Sequence, residues 1–208
     1  MSDLILLSVF VALLSCDTLV FGQFMLSRPV ITGPIIGWWL GHPYIGFIIG
    51  ICMELMWIRV IPVGVTIPPD TTIATALATA GAINAVLKFG IDDASAIIMA
   101  LAISIPCGII YKVIDLRVRM RNCLVVDKVK RKIIQGKTSS VNVATLLGIF
   151  KIFILSFLFF LIFISLIYKA PERFWIFIVR HNFNPRIILR FIYIVCFAEL
   201  FEAFIKWK

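Results

Sequence analysis

Long apolar stretches separated by short polar ones dominate this chain, covering about residues 4–21, 30–53, 72–88, 94–113, 143–168 and 187–205. A helix needs roughly 20 apolar residues to cross the hydrocarbon core of a bilayer. The pattern therefore predicts an all-α, polytopic membrane protein with about six helical spans. One span is interrupted: in VGVTIPPDTTIATALATAG (63–81), Pro68 and Pro69 follow closely on Pro62. Proline lacks an N–H donor and disfavours helix in the residue before it, so regular helix resumes only after the pair. Asp70 or Thr71 is placed to cap a helix beginning at Thr72.

The pattern changes at residue 114. Residues 114–140 contain DLRVRMRNCLVVDKVKRKIIQGK, in which Leu116, Val118, Met120, Leu124, Val125, Val129, Ile133 and Ile134 fall mostly at helical spacing among basic residues. This predicts an amphipathic helix along the cytoplasmic interface, closed by Gly136. The organisation that follows is a membrane domain with interrupted helices (1–113), a basic connector (114–142) and C-terminal membrane helices (143–208).

Composition agrees with the membrane reading: 62% of residues are hydrophobic, 15% are charged, and the mean hydropathy is +1.07. Soluble domains run nearer half apolar and a quarter charged. The formal net charge of +9 does not point to nucleic acid, because it is concentrated rather than spread over a soluble face. Nine of the 20 Lys and Arg residues fall within 112–137, and only Arg28, Arg59 and Lys88 precede them. Such a cluster between spans marks a cytoplasmic loop with anionic headgroups as neighbours. The loop at 169–186 carries Lys169, Arg173, Arg180 and Arg186, although alternation puts it on the opposite side. Either the 143–168 run does not cross as one span, or the larger cluster sets the orientation.

Cys16, Cys52, Cys107, Cys123 and Cys196 are dispersed without metal spacing, and an odd number argues against a disulfide framework. Core packing is the better reading. The N-terminal run MSDLILLSVFVALLSC lacks the basic residues of a signal peptide or a lipoprotein leader, so no cleavage is expected.

Ionisable groups within apolar runs are costly and are read first as functional. Glu54, in IGFIIGICMELMWI, follows a stretch (29–53) without any charge. It is either a span-end carboxylate paired with Arg59 or an acceptor for polar ligand groups in a cavity. Asp70 is either a surface cap or a cap that also faces a ligand, because non-helical backbone at membrane depth is tolerated where it lines a cavity. Broken helices whose ends point at substrate recur in transporters. After the break, Ala74, Ala78 and Ala82 recur every fourth residue with Thr75 and Thr79 beside them, a small-residue stripe for close helix packing. The hydroxyls of Thr71 and Thr72 are further ligand candidates, as are Asp17 and Gln23. Arg28, next to Pro29, reads as an interface anchor. His42, His181, Asp92 and Asp93 read as loop or turn residues. There is no phosphate-cradling loop, nucleophile elbow or metal pattern, so an enzyme working alone is disfavoured and no cofactor is implied.

Residues 23–80 resemble the membrane subunit IIC of the mannose/fructose/sorbose family of bacterial sugar phosphotransferase systems. The residues in register are Gln23, Arg28-Pro29, Gly37, Gly41, Gly46, Gly50, Glu54, Gly64, Pro69-Asp70 and Ala74. The resemblance implies a non-catalytic sugar-translocating subunit of the bacterial inner membrane. Its implied partners are a homologous IID membrane subunit, in a higher IIC–IID oligomer, and cytoplasmic IIA and IIB proteins that relay phosphate to the sugar. By the same token Gln23, Glu54 and Asp70 would contact sugar or line its pathway, carboxylates and amides being suited to its hydroxyls. The resemblance departs after 143–168. A glycine-rich segment belongs there, and this chain instead has the basic, aromatic RHNFNPRIILRFIYIVCFAELFEAFIKWK. This implies a divergent or shortened member. A carrier outside the phosphotransferase system and a non-transporting remnant are the alternatives.

Overall fold

The computed structural model describes residues 2–17, 24–58, 69–134, 139–175 and 184–205. All regular elements among them are helices: α1 (Ser2–Cys16), α2 (Pro29–Trp39), α3 (Pro43–Trp57), α4 (Thr71–Phe89), α5 (Asp93–Ile134), α6 (Ser139–Lys169), α7 (Glu172–Trp175) and α8 (Pro185–Ile205).

The apolar run 30–53 is not one span. Residues 40–42 reverse the chain, with Gly41 at φ +82° and the His42 N–H donating to the Gly37 carbonyl at 2.8 Å. Pro43 then starts α3 at a position where its missing N–H costs nothing. The two arms, of 11 and 15 residues, are about 16 and 22 Å long. Each falls short of the ~30 Å hydrocarbon core. Apolar content alone cannot distinguish this hairpin from a single helix; the turn signal Gly41-His42-Pro43 does.

Glycine sets how closely the arms approach. Cβ atoms added to Gly33 and Gly46 would each collide with the other residue's carbonyl, and one on Gly37 would lie 2.9 Å from the His42 carbonyl oxygen. Small residues at four-residue spacing permit this approach. Gly46→Ala is expected to destabilise the protein by about 1–3 kcal/mol through overpacking. A lowered melting temperature in detergent would show it, with Gly148→Ala on α6, whose added methyl meets nothing, as the neutral control.

Helix α4 is the centre of the bundle, packed by α1, α2, α3, α5 and α6. Asp70 caps its start by accepting from the Ile73 N–H at 3.0 Å, and Gly90, at φ +63°, closes its end. Residues Thr72 through Ile83 are all buried, so the alanine stripe packs on every side and not along one seam.

Three described helices are long and apolar enough to cross a membrane: α4, Asp93–Asn122 within α5, and Val141–Lys169 within α6. Among the described residues the expected count of about six is not confirmed: 30–53 is a hairpin, α1 is a shorter apolar helix and α8 carries Arg186, Arg190, Glu199 and Glu202. The connector's helix is also no separate element: α5 runs unbroken for 42 residues into its basic half, about 63 Å. No glycine or proline near residue 114 stops it. Gly136 lies outside the described residues.

Helix α6 is continuous from Ser139 to Lys169, up to the basic loop that follows. Lys88, at the end of α4, donates to the Tyr168 carbonyl at the end of α6 at 3.0 Å, and Arg186 lies 3.8 Å from Asp92. Residues 169–186 therefore begin and end at the α4–α5 turn, at the opposite ends of α5 and α6 from the connector. The divergent tail forms α8, which packs on α3 and α5, with the Cys196 thiol 3.7 Å from the Cys52 carbonyl oxygen. Cys16, Cys52, Cys107 and Cys196 are buried, as core packing requires.

Candidate functional site

The rows Gly33–Gly37 on α2 and Gly46–Gly50 on α3 have a next rung. Four residues beyond Gly50 on the same face of α3 is Glu54, and one residue before Pro29 on α2 is Arg28. A Cβ on Gly50 would stand only 2.6 Å from the Pro29 carbonyl oxygen, so the feet of the hairpin are as close as its shaft. There Arg28 Nη1 donates to Glu54 Oε1 at 2.7 Å. The Arg28 side chain is 55% exposed and the Glu54 side chain 20%. The second carboxylate oxygen, Glu54 Oε2, is buried and has no hydrogen-bond partner among the described residues. A buried acceptor left in that state carries a desolvation cost that a ligand donor would relieve.

The segment before Arg28 is held from three sides. The Asp17 carboxylate accepts from the Phe24 N–H at 2.8 Å and the Ser27 N–H at 3.3 Å. The Thr32 hydroxyl donates to the Leu26 carbonyl at 3.0 Å, and the Thr72 hydroxyl to the Ser27 carbonyl at 2.9 Å. Met25 within it adopts a left-handed backbone at φ +63°. This pinned turn joins the hairpin foot to the start of α4: Arg28, paired with Glu54, follows Ser27, whose carbonyl accepts from Thr72, two residues past Asp70. The capping carboxylate of Asp70 lies at the N-terminus of α4, where the helix dipole favours negative charge.

Of the residues singled out from sequence, Glu54, Asp70, Thr71 and Thr72 belong to this region. Thr71 is the first, half-buried residue of α4, and its carbonyl accepts from the Thr75 hydroxyl. The Thr72 proton is committed to Ser27, which leaves only its lone pairs for a ligand. Thr72→Val is expected to cost about 1 kcal/mol of stability by unpairing that buried carbonyl, measured as a shifted melting temperature. Asp17 holds backbone, and Gln23 lies outside the described residues.

Sequence reasoning missed Arg28 as the partner of Glu54, reading it as an interface anchor and weighing Arg59, which lies outside the described residues. The signal was present: the four-residue glycine rows run directly to Arg28-Pro29 on one arm and to Glu54 on the other. His42 sits at the N-cap of α3 without a side-chain cap bond, as a loop residue. Asp92 and Asp93 are exposed at the α4–α5 turn. Among the described residues no group of His, Cys, Asp and Glu could hold a metal ion.

Short helices that reverse within an apolar bundle, with an ion pair and a capping carboxylate at their feet, define a polytopic membrane protein built like a transporter. A family model described as the phosphotransferase (PTS) system sorbose-specific IIC component matches residues 1–179, and the chain belongs to that family. The resemblance read from residues 23–80 therefore holds. Over 86 residues, 41% of this chain, it is 33% identical to the putative N-acetylgalactosamine permease IIC component 2 of Escherichia coli (strain K12), the match spanning 63% of that protein. Two solved structures share the fold. One is a chain in the cryo-EM structure of the mannose transporter ManYZ in complex with a microcin, with a TM-score of 0.63, 17% identity, and coverage of 98% of this chain and 80% of that chain. The other is described as the structure of a membrane protein, with a TM-score of 0.66, 19% identity and the same coverage.

Proposed function

We propose that this chain is the sugar-translocating IIC subunit of a mannose/fructose/sorbose-type, phosphoenolpyruvate-dependent phosphotransferase system in the bacterial inner membrane. It passes a hexose inward for phosphorylation by a IIB partner, with a IID subunit completing the pathway and IIA supplying the phosphate. The family supports this reading, and the observation that carries it is the hairpin-foot pair, in which Arg28 engages one oxygen of Glu54 and the other is buried without a partner among the described residues.

In this reading Glu54 Oε2 accepts a hydrogen bond from a sugar hydroxyl, Arg28 donates to a sugar oxygen, and Asp70 accepts from a second hydroxyl at the start of α4. A neutral polyhydroxyl ligand suits such a set, because each hydroxyl is both donor and acceptor. The chemistry of phosphoryl transfer belongs to the partners. The names of the relatives supply the sugars to try first: N-acetylgalactosamine, mannose and sorbose.

The test is uptake in cells that lack their own permeases of this family and co-express this chain with IID, IIB and IIA subunits from its own source. The expected result is uptake of one of these sugars that stops when phosphoenolpyruvate-dependent phosphorylation is blocked. Uptake that continues under the block places the protein outside the phosphotransferase system. No uptake of any sugar by an assembled complex overturns transport.

A further inference from the structure

The face of α5 that looks onto the start of α4 carries another buried carboxylate. A Cβ on Gly108 would stand 3.1 Å from the Asp70 carbonyl oxygen, so α5 passes the beginning of α4 at that glycine. Steps of three, seven and eleven residues bring Tyr111, Asp115 and Arg119 onto the same face. Because α4 starts at Thr71 and α5 continues, Asp115 and Arg119 extend beyond the start of α4 toward the basic half of α5. The Tyr111 hydroxyl is already paired, 2.7 Å from Ser156 Oγ, which in turn lies 3.2 Å from Ser15 Oγ. Asp115 is different. Its Oδ2 accepts from Arg119 Nε at 2.6 Å, while its Oδ1 is buried without a partner among the described residues. Both side chains lie within electrostatic reach of Asp70.

A bond between residues four apart on one helix is commonly no more than local helix support. A solvated surface pair would leave its second oxygen to water. Here that oxygen is buried, as is its counterpart on Glu54, and each carboxylate is steadied by one arginine. Each is thus a carboxylate with one oxygen held by an arginine and the other buried without a partner among the described residues. The basic continuation of α5 marks the Asp115 flank as the cytoplasmic one.

We infer that Asp115, oriented by Arg119, is a further sugar-contacting residue that accepts a hydroxyl hydrogen bond on the cytoplasmic side of Asp70 as the sugar leaves the Glu54–Asp70 site. This inference rests on the function proposed above. The probe is whichever of mannose, sorbose and N-acetylgalactosamine the intact complex takes up best, together with its monodeoxy analogues. Asp115→Asn is expected to raise KM for the parent sugar about tenfold or more, the effect of losing a hydrogen bond to a charged group. One deoxy analogue, lacking the hydroxyl that Asp115 receives, should show no difference between variant and wild type, and Asp115→Glu should recover part of the loss. A helix-supporting role predicts instead an equal loss for every analogue, or wild-type KM in the Asp115→Leu/Arg119→Leu pair, and either result overturns the inference. If Asp115→Asn does not assemble, Asp115→Glu carries the same comparison across the analogues. Failure of the intact complex to take up any sugar overturns the proposed function itself; should Glu54→Gln and Asp70→Asn also transport normally, the Glu54–Asp70 site assignment falls as well, and if they block uptake and Asp115→Asn does not, only this inference falls.

Discussion

Glu54→Gln is expected to reduce sugar uptake roughly 10- to 150-fold while the protein still inserts and assembles, the range corresponding to loss of a hydrogen bond to a charged group. The substitution keeps the size of the side chain and gives up its charge. Arg28, more than half exposed, stays solvated when its partner is neutralised, so the fold should survive. The loss should appear in transport and not in the melting temperature. Arg28→Gln, which leaves Glu54 charged and partly buried without its counterion, should be the less stable of the two. Measuring uptake alongside thermal stability in detergent separates these outcomes, and normal uptake by Glu54→Gln removes it from the site.

Asp70 has two roles that can be uncoupled. Asn and Ser cap helices about as well as Asp, whereas Ala forfeits roughly 1 kcal/mol. Asp70→Asn and Asp70→Ser are therefore expected to keep the melting temperature and lose most uptake, because the capping bond to Ile73 is retained and the charged acceptor is not. Asp70→Ala should lose both. Uptake at the wild-type level in Asp70→Asn would reduce Asp70 to a cap.

How far the sequence could be read depended on whether one chain segment held the whole signal. The start of α4 was legible because Pro68, Pro69 and Asp70 encode the end of one backbone state and the cap of the next within a few residues. The family was legible because its glycines, Glu54 and Pro69-Asp70 keep their order and spacing. The hairpin was not, because hydropathy averages over its turn: Gly41 and Pro43 are two residues in a run that otherwise reads as one helix. The Arg28–Glu54 pair joins residues 26 apart in sequence, and local spacing favours the nearer Arg59. Asp115 lay in a stretch whose charge pattern pointed to a surface, and only the continuity of α5 beside α4 shows that its carboxylate faces inward.

The two arms of the hairpin behave as tweezers joined at Gly41, with Arg28 and Glu54 as the tips. Their gap is set by backbone touching backbone at the glycine rungs, not by the attraction between the charges. Tweezers of that kind have little give: the tips meet at the width the shaft allows, or the whole hairpin must move as one piece against α4. A single methyl placed on the shaft, well away from the tips, would part Arg28 from Glu54 and weaken the bond between them.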